Sequence, residues 1–213
     1  MSFRHFVLGA VAIFIYVGVE VGIPNVLQKW LQNGGLGQIG NEGEEIAATV
    51  TATYWLLMFF GRLMGAALGA KFSAKTMLTA VSALGLALVG GAMLLNPANT
   101  IDLPVFKGTE GFGLADVPIN AALLVLCGLC TSVMWGGIFN LAVEGLGRYT
   151  ERGAGIFMAM VCGGGILPLI QNFVVDLSGN YLMSYWVIIA GLAYLLFYAL
   201  VGSKNVNKDI KVE

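Results

Sequence analysis

The stretch Phe6–Leu27, FVLGAVAIFIYVGVEVGIPNVL, decides the fold of this chain. It holds 22 consecutive residues, of which only Glu20 is charged. A hydrocarbon core needs about 20 mostly apolar residues in helical form. The segment is therefore predicted to be a membrane-spanning helix. It is too long for the apolar core of a cleaved signal peptide, and no small-residue cleavage site follows it.

Five further stretches of the chain have the same apolar character. Only 11% of the 213 residues are charged, whereas a soluble domain carries about a quarter. We therefore predict an all-α membrane protein, with a six-helix transmembrane domain at residues 1–203 and a cytoplasmic tail at 204–213. The predicted spans, numbered one to six in chain order, are 6–27, 46–70, 76–95, 119–143, 154–175 and 182–202.

Lysine and arginine residues outside the spans are distributed unequally between the two sides. With the N-terminus inside, eight lie on the inner side and two on the outer side. Because loops rich in these residues stay in the cytoplasm, both termini are predicted to be cytoplasmic and the protein to lie in the cytoplasmic (inner) membrane. The inner residues are Arg4, Lys71, Lys75, Arg148, Arg152, Lys204, Lys208 and Lys211, and the outer ones are Lys29 and Lys107.

Glycines and a proline predict how the helices approach and bend. Gly61, Gly65 and Gly69 recur every four residues in span two, so they share a face on which a neighbouring helix can come close. Pro168 in span five removes one backbone hydrogen bond, and a kink is predicted there. Spans one and four both contain glycine or proline interruptions, which is typical of two inverted three-helix repeats with a substrate site between them.

Glu20 is the only acidic residue well inside a predicted span. Burying a carboxylate at the centre of a membrane helix costs about 2.5 to 3.5 kcal/mol even on lenient scales. Its side chain should therefore face a cavity or a partner. Two interpretations stay open: a substrate acceptor or proton-responsive carboxylate, and a structural partner for a polar residue on another helix.

Arg62 is the only cation well inside a span, in the inner half of span two. Its long side chain can extend towards the interface, so a structural role is one interpretation. Glu144, at the inner end of span four, is the candidate partner. A pair formed by Arg62 and Glu144 would act as a gate that holds one transport state.

Polar and aromatic residues predict a lined pathway through the membrane. Ser132, Gly136 and Asn140 recur every four residues and share one face of span four. Trp55 and Trp135 lie near mid-membrane, a depth that is unusual for tryptophan. An aromatic ring can cover the apolar face of a sugar while amides bind its hydroxyls, and hydrogen bonding between helices is the alternative role. The predicted substrate-binding residues are Glu20, Tyr16, Trp55, Trp135, Asn140, Gln171 and Asn172.

The residues present argue against several classes of function. No basic patch suggests a nucleic-acid partner, and the net charge is −1. A membrane metalloprotease would need a His-Glu-x-x-His type cluster, but His5 is the only histidine. Cys127 and Cys130 have the spacing of a redox or metal motif, yet inside an apolar helix they are interpreted as packing residues. We therefore expect no enzyme, no catalytic residue, no metal site and no cofactor.

Short segments from five spans and one loop, spread over nearly the whole chain, carry a family resemblance. Span one reads FIYVGVEVG at Phe14–Gly22, and span two has GRLMG at Gly61–Gly65. Span four and its loop read IFNLA at Ile138–Ala142 and GLGRYT at Gly145–Thr150. Span five has GGGILP at Gly163–Pro168, and span six ends with YLLFY at Tyr194–Tyr198. In this order the segments resemble the C-terminal six helices of the fucose/galactose/glucose–proton symporter family, within the major facilitator superfamily.

The resemblance implies half of a major-facilitator-type bundle that moves a neutral hexose or deoxyhexose by alternating access, with a coupling proton or, as the alternative, sodium. Its expected partners are the lipid bilayer and either an N-terminal six-helix half or a second copy of this chain. The family's coupling carboxylates are expected mainly in the N-terminal half. A truncated or degenerate half that serves as a non-transporting membrane scaffold is the competing hypothesis. One departure is Gly136 after Trp135, where the family has a proline.

Overall fold

The computed structural model describes residues 3–36, 41–106 and 111–205 of the chain. Six helices in these ranges are long and apolar enough to cross a membrane, which confirms the predicted number. Lys107, Lys208 and Lys211, which contribute to the predicted orientation, lie outside the described residues, as does the rest of the tail from residue 206. The six segments are Arg4–Gly35, Glu42–Leu68, Ala74–Leu94, Ile119–Val143, Gly147–Ser178 and Leu182–Gly202.

Helix one extends well beyond its predicted end at residue 27. α1 covers Arg4–Trp30 and continues through a π-helical turn at Leu31–Gly35. Asn33 stabilises this turn by donating from Nδ2 to the carbonyl of Lys29, at 2.7 Å. Gly34 then leaves the helix with a φ of 105°, a conformation that favours glycine. The polar residues after 27 therefore mark the edge of the apolar stretch rather than the end of the helix.

The next two helices also begin earlier than the hydropathy pattern predicted. α2 covers Asn41–Leu68 and α3 covers Ala74–Leu94. The start of α3 is set by Ser73, whose Oγ accepts a hydrogen bond from the N–H of Thr76 at 3.2 Å.

A β-hairpin connects α3 to the next helix. Its strands, β1 at Thr100–Phe106 and β2 at Phe112–Pro118, are antiparallel, with Thr100 opposite Pro118. No strand was predicted in this otherwise helical chain. Burial alternates along the hairpin, because Val105 and Val117 are buried whereas Asp102 is exposed. One face of the hairpin thus covers the end of the bundle.

Span four consists of two helices rather than one. α4 covers Ile119–Thr131 and α5 covers Met134–Val143, with a turn at residues 132–133 between them. Side-chain hydroxyls bind carbonyls on the N-terminal side of this break: Thr131 donates to the carbonyl of Cys127 or Gly128, both at 3.2 Å, and Ser132 donates to Leu129 at 2.6 Å. The helix is therefore interrupted just before Trp135 although the chain has no proline there.

Span five is also interrupted, but not at the residue that the sequence suggested. A 3₁₀ turn at Gly147–Tyr149 leads into α6 at Thr150–Met160, and α7 covers Gly163–Ser178. The interruption lies between these two helices, and the predicted kink residue Pro168 lies inside α7. The N–H groups of residues 164 and 165 bind carbonyls only three residues back, both at 3.0 Å, so the chain tightens at the start of α7.

Span six is continuous and completes the bundle. A 3₁₀ turn at Leu182–Ser184 precedes α8 at Tyr185–Phe197, and a π-helical turn follows at Tyr198–Gly202.

α1 lies at the centre of the bundle, where it packs against α5, α7 and α8. Its side chains Ile13, Val19 and Ile23 are completely buried. The contact with α7 is very close, because a Cβ at Gly163 would overlap the backbone carbonyl of Phe14. Glycine at this position therefore sets the distance between the two helices.

The predicted glycine seam on α2 involves two of its three glycines. A Cβ at Gly61 would overlap Ser132, and one at Gly65 would overlap Val133, so both glycines face the break in span four. A Cβ at Gly69 would meet only carbonyls of α2 itself within 4 Å. Close packing of α2 therefore occurs where span four changes direction.

We expect Gly163→Ala to lower the free energy of unfolding by about 1–3 kcal/mol, because the added Cβ would overlap the Phe14 carbonyl. Gly165→Ala is the matched control, since a Cβ there meets no atom within 4 Å and alanine is the better helix former. Thermal unfolding of the detergent-purified variants, followed by tryptophan fluorescence, measures the difference. Equal unfolding midpoints for the two variants would contradict the close α1–α7 contact.

Candidate functional site

An ion pair between α1 and α2 lies inside the bundle. Glu20 Oε1 is 3.0 Å from Nη2 of Arg62. Glu20 is buried, with 8% of its surface exposed, whereas the Arg62 side chain is 54% exposed. The carboxylate is thus enclosed by protein, and the cation can be approached from outside this six-helix unit.

The predicted pair between Arg62 and Glu144 is wrong, because Arg62 binds Glu20 instead. Side chains of a helix point back towards its N-terminus. Arg62 follows this rule, since its Nη2 also contacts the Met58 sulfur at 3.9 Å. Its guanidinium is therefore directed along α2 towards Glu20 and away from Glu144.

Glu144 lies at the C-terminal end of α5 in a neighbouring, exposed cavity of about 690 Å³. Its backbone carbonyl binds Nε2 of His5 at 2.9 Å. Lys75 and Lys204 line the same cavity. The two lysines therefore lie with Glu144 at the end of the bundle where span two meets span three.

Tyr16 and Trp135 form the aromatic side of the Glu20 site. Their rings meet edge to face, with centroids 6.1 Å apart. Tyr16 is completely buried one turn before Glu20, and its hydroxyl lies within reach of the Glu20 carboxylate and the Arg62 guanidinium. Trp135 is only half-buried, so part of its ring is available for a ligand. The break before α5 determines where this ring lies.

Trp55 lies on the surface of α2 and not against Tyr16. Its side chain is 40% exposed, and its ring packs edge to face on Tyr54 with centroids 5.3 Å apart. Tyr54 itself is completely buried. Trp55 therefore lies on the exposed face of α2 that also carries Arg62, seven residues further along the helix.

Asn140 lines a cavity together with Arg62. This cavity, of about 370 Å³, lies between α2 and α5 and runs from Arg62 to the connection between α2 and α3. Ser132 and Gly136 lie on its wall with Asn140, as their spacing on one helix face predicted. The polar face of span four thus leads from the ion pair towards one end of the bundle.

Gln171 and Asn172 lie on the other side of α1. A Cβ at Gly22 would meet Gln171 Oε1 at 2.7 Å, and Gly22 is two residues from Glu20, which is nearly half a helical turn. Asn172 accepts from Lys29 at 2.9 Å and donates to Asn25 at 3.1 Å. The structure therefore does not bring these two amides together with Glu20, Tyr16 and Trp135. Their role in substrate binding stays a prediction.

Two residues of the site were not selected from the sequence. Tyr54 donates from its hydroxyl to the backbone carbonyl of Glu20 at 3.1 Å, and the same hydroxyl is 3.0 Å from Thr131 Oγ1. A tyrosine and a threonine in apolar helices give no periodic signal. The one clue is Pro24, which lacks the N–H that would otherwise bind the carbonyl of Glu20.

Arg62→Gln should lower the free energy of unfolding by about 1–3 kcal/mol, because it leaves a buried carboxylate without its partner. The double variant with Glu20→Gln should recover part of this loss, since the buried charge is then removed as well. Arg148→Gln, at an exposed loop position, is the control. Thermal unfolding in detergent gives the stability of the unmodified chain and of the three variants. A double variant that is less stable than Arg62→Gln alone would contradict the ion pair.

Comparison with known proteins finds relatives that are transporters. The chain is 33% identical over 205 residues to a glucose/galactose transporter of Brucella abortus biovar 1 (strain 9-941), covering 96% of this chain and 44% of the relative. A putative glucose/galactose transporter of Helicobacter pylori (strain J99 / ATCC 700824) is 29% identical over 208 residues, covering 96% and 45%. The L-fucose-proton symporter of Escherichia coli (strain K12) is 25% identical over 177 residues, covering 83% and 35%. No family model matches the chain.

A solved structure has the same fold. The major facilitator superfamily transporter FucP, in its outward conformation, superposes with a TM-score of 0.75 at 22% identity, over 95% of this chain and 43% of that one. The chain spans slightly less than half the length of the curated relatives it matches. It is thus a multi-pass membrane protein that resembles, along nearly its whole length, one six-helix half of a sugar transporter of the major facilitator superfamily.

Proposed function

We propose that this chain is the C-terminal six-helix half of a secondary active transporter that moves a neutral hexose or deoxyhexose together with a proton. The observation that carries the proposal is the Glu20–Arg62 ion pair, with the Tyr16–Trp135 ring pair one turn away. The names of the relatives, two of them glucose/galactose transporters and one an L-fucose-proton symporter, support the substrate class.

The site offers the chemistry that a sugar needs. A carboxylate accepts hydrogen bonds from sugar hydroxyls, and a guanidinium donates to sugar oxygens. Tyr16 adds a hydroxyl beside the Glu20 carboxylate, and the half-buried ring of Trp135 covers the apolar face of the sugar. Sugar binding thus replaces the contact between Glu20 and Arg62 with contacts from each side chain to the ligand.

Glu20 also responds to protons in this proposal. Protonation removes its charge and weakens the attraction for Arg62, whose side chain is already 54% exposed. We assign the principal coupling carboxylate to the other six-helix half and this secondary response to Glu20. Sodium is the alternative coupling ion.

The transport cycle follows from the two inner cavities. The partner of this chain is an N-terminal six-helix half or a second copy, and the two units rock against each other around a central site. The cavity that joins Arg62 to Asn140 is the inner exit, and Glu144 lies beyond it with Lys75 and Lys204. Both termini face the cytoplasm, so this exit opens on the cytoplasmic side of the inner membrane.

Uptake of radiolabelled sugar into membrane vesicles tests the function. The chain is expressed alone and together with the N-terminal half of the Brucella abortus relative, and D-glucose, D-galactose and L-fucose are compared. We expect uptake only with both halves, abolished by a protonophore and retained without sodium. No uptake in either case would overturn the proposal and favour a non-transporting scaffold.

Glu20→Gln should lower uptake by the two-half assembly at least about tenfold, because a hydrogen bond to a charged group contributes about 1.5–3 kcal/mol. Asp102→Asn, on the exposed face of the hairpin, is the matched control and should transport normally. Size-exclusion chromatography in detergent establishes that both variants fold. Unchanged uptake with Glu20→Gln would remove this residue from the site.

A further inference from the structure

Pro24 leaves a backbone carbonyl next to the candidate site without its hydrogen-bond donor from the same helix. Proline has no N–H, so the carbonyl four residues before it loses its donor within the helix. That carbonyl belongs to Glu20, and α1 continues as a helix through Pro24. In an apolar bundle an unsatisfied carbonyl is costly, and side chains of neighbouring helices commonly supply the missing donor. Here the donor is the Tyr54 hydroxyl of α2, at 3.1 Å.

The same hydroxyl also joins α1 to the break in span four. Tyr54 is completely buried, and its hydroxyl is 3.0 Å from Oγ1 of Thr131, the last residue of α4. The two helices meet closely here, since a Cβ at Gly128 would overlap the carbonyl of Tyr54. One side chain therefore fixes Glu20 relative to the point at which span four changes direction and presents Trp135.

Thr131 can exchange its hydrogen bond to Tyr54 for one to a carbonyl of its own helix. Each hydroxyl has a single proton. When Tyr54 donates to Glu20, the Thr131 proton either binds Tyr54 or returns to the carbonyls of Cys127 and Gly128, both at 3.2 Å. Thr131 therefore keeps a hydrogen bond if α4 moves away, and Tyr54 keeps its bond to Glu20. The contact between helices can break without leaving a buried polar group unsatisfied.

We propose that Tyr54 is a positioning residue: its hydroxyl replaces the donor that Pro24 lacks and, through Thr131, sets the position of Glu20 relative to the break in span four. The proposal deepens the proposed function, on which it rests for its effect on sugar binding. Its structural part, the link between the Glu20 carbonyl and the break, can be measured without any sugar.

The chain offers a matched control in Tyr185. This tyrosine is also completely buried and donates to a carbonyl of α1, that of Ile23 at 2.9 Å. Leu27 supplies an N–H four residues after Ile23, so that carbonyl has a donor in the helix as well. Tyr185→Phe thus removes the same chemical group and the same kind of contact without leaving an orphaned carbonyl or a broken link to Thr131.

The first measurement is hydrogen–deuterium exchange of the complete, detergent-purified chain without sugar. We expect Tyr54→Phe and Thr131→Val to accelerate exchange at residues 132–137, and Tyr54→Phe also at residues 20–25. Thr131→Ser, which keeps the hydroxyl, and Tyr185→Phe should leave residues 132–137 unchanged. If Tyr54→Phe cannot be purified, exchange at residues 132–137 is compared between Thr131→Val and Thr131→Ser instead. Unaltered exchange in Tyr54→Phe and Thr131→Val, or equal acceleration in Tyr185→Phe, overturns the proposal.

The second measurement is D-galactose uptake by the two-half assembly. Loss of one net hydrogen bond corresponds to a factor of about three to ten, so Tyr54→Phe and Thr131→Val should raise KM by that factor with a smaller effect on the maximal rate. Because both substitutions remove the same link, the double variant should raise KM no further than the single variant with the larger effect. A fall in maximal rate with KM unchanged would contradict a positioning role. If the unmodified assembly takes up no sugar, the proposed function fails and the exchange experiment still decides the role of Tyr54.

Discussion

The burial of Glu20 constrains the arrangement of α1, α2 and α4. Its carboxylate needs an opposite charge, which Arg62 supplies at 3.0 Å, and its carbonyl needs a donor, which Tyr54 supplies at 3.1 Å. Both partners lie on α2, two turns apart on one face. The position of α2 along α1 is therefore determined by two polar contacts, whereas apolar packing alone would tolerate small shifts. Thr131 extends this constraint to α4.

A second constraint is that helix breaks inside an apolar bundle must satisfy their own backbone groups. Span four breaks where Thr131 and Ser132 place two hydroxyls against carbonyls of the preceding turn. Span five breaks without such hydroxyls. Its backbone N–H groups around residues 161–165 bind carbonyls three residues back instead of four, which is the 3₁₀ pattern. Glycine alone would allow either bend, but the local hydrogen-bond donors determine where each one occurs. This explains why Gly136 can stand where related transporters are expected to have proline.

Hydropathy and spacing were sufficient to predict the number of membrane spans, because each span needs a long apolar segment whose backbone groups are hydrogen-bonded within it. They could not predict the hairpin after α3, whose short strands contain glycine and proline and are stabilised by pairing with each other and by burial of Val105 and Val117 against the bundle. For the site, a lone carboxylate and a lone cation in apolar helices were enough to select Glu20 and Arg62. Their pairing was missed because it depends on the relative rotation of α1 and α2, which spacing within one helix does not contain.

The same argument explains how the predicted substrate residues divide between two faces of α1. Each residue advances a helix by 100°, so Gly18 and Gly22 point nearly opposite to Tyr16 and Glu20. The glycine face packs against Leu167 and Gln171 of α7, and the hydrogen bonds of Asn172 with Lys29 and Asn25 join the same two helices near the C-terminal end of α1. The polar face is fixed to α2 and α4 by an ion pair and shared hydroxyls. A displacement of α7 along α1 would therefore break the hydrogen bonds of Asn172, whereas a displacement of α2 or α4 must change the environment of Glu20.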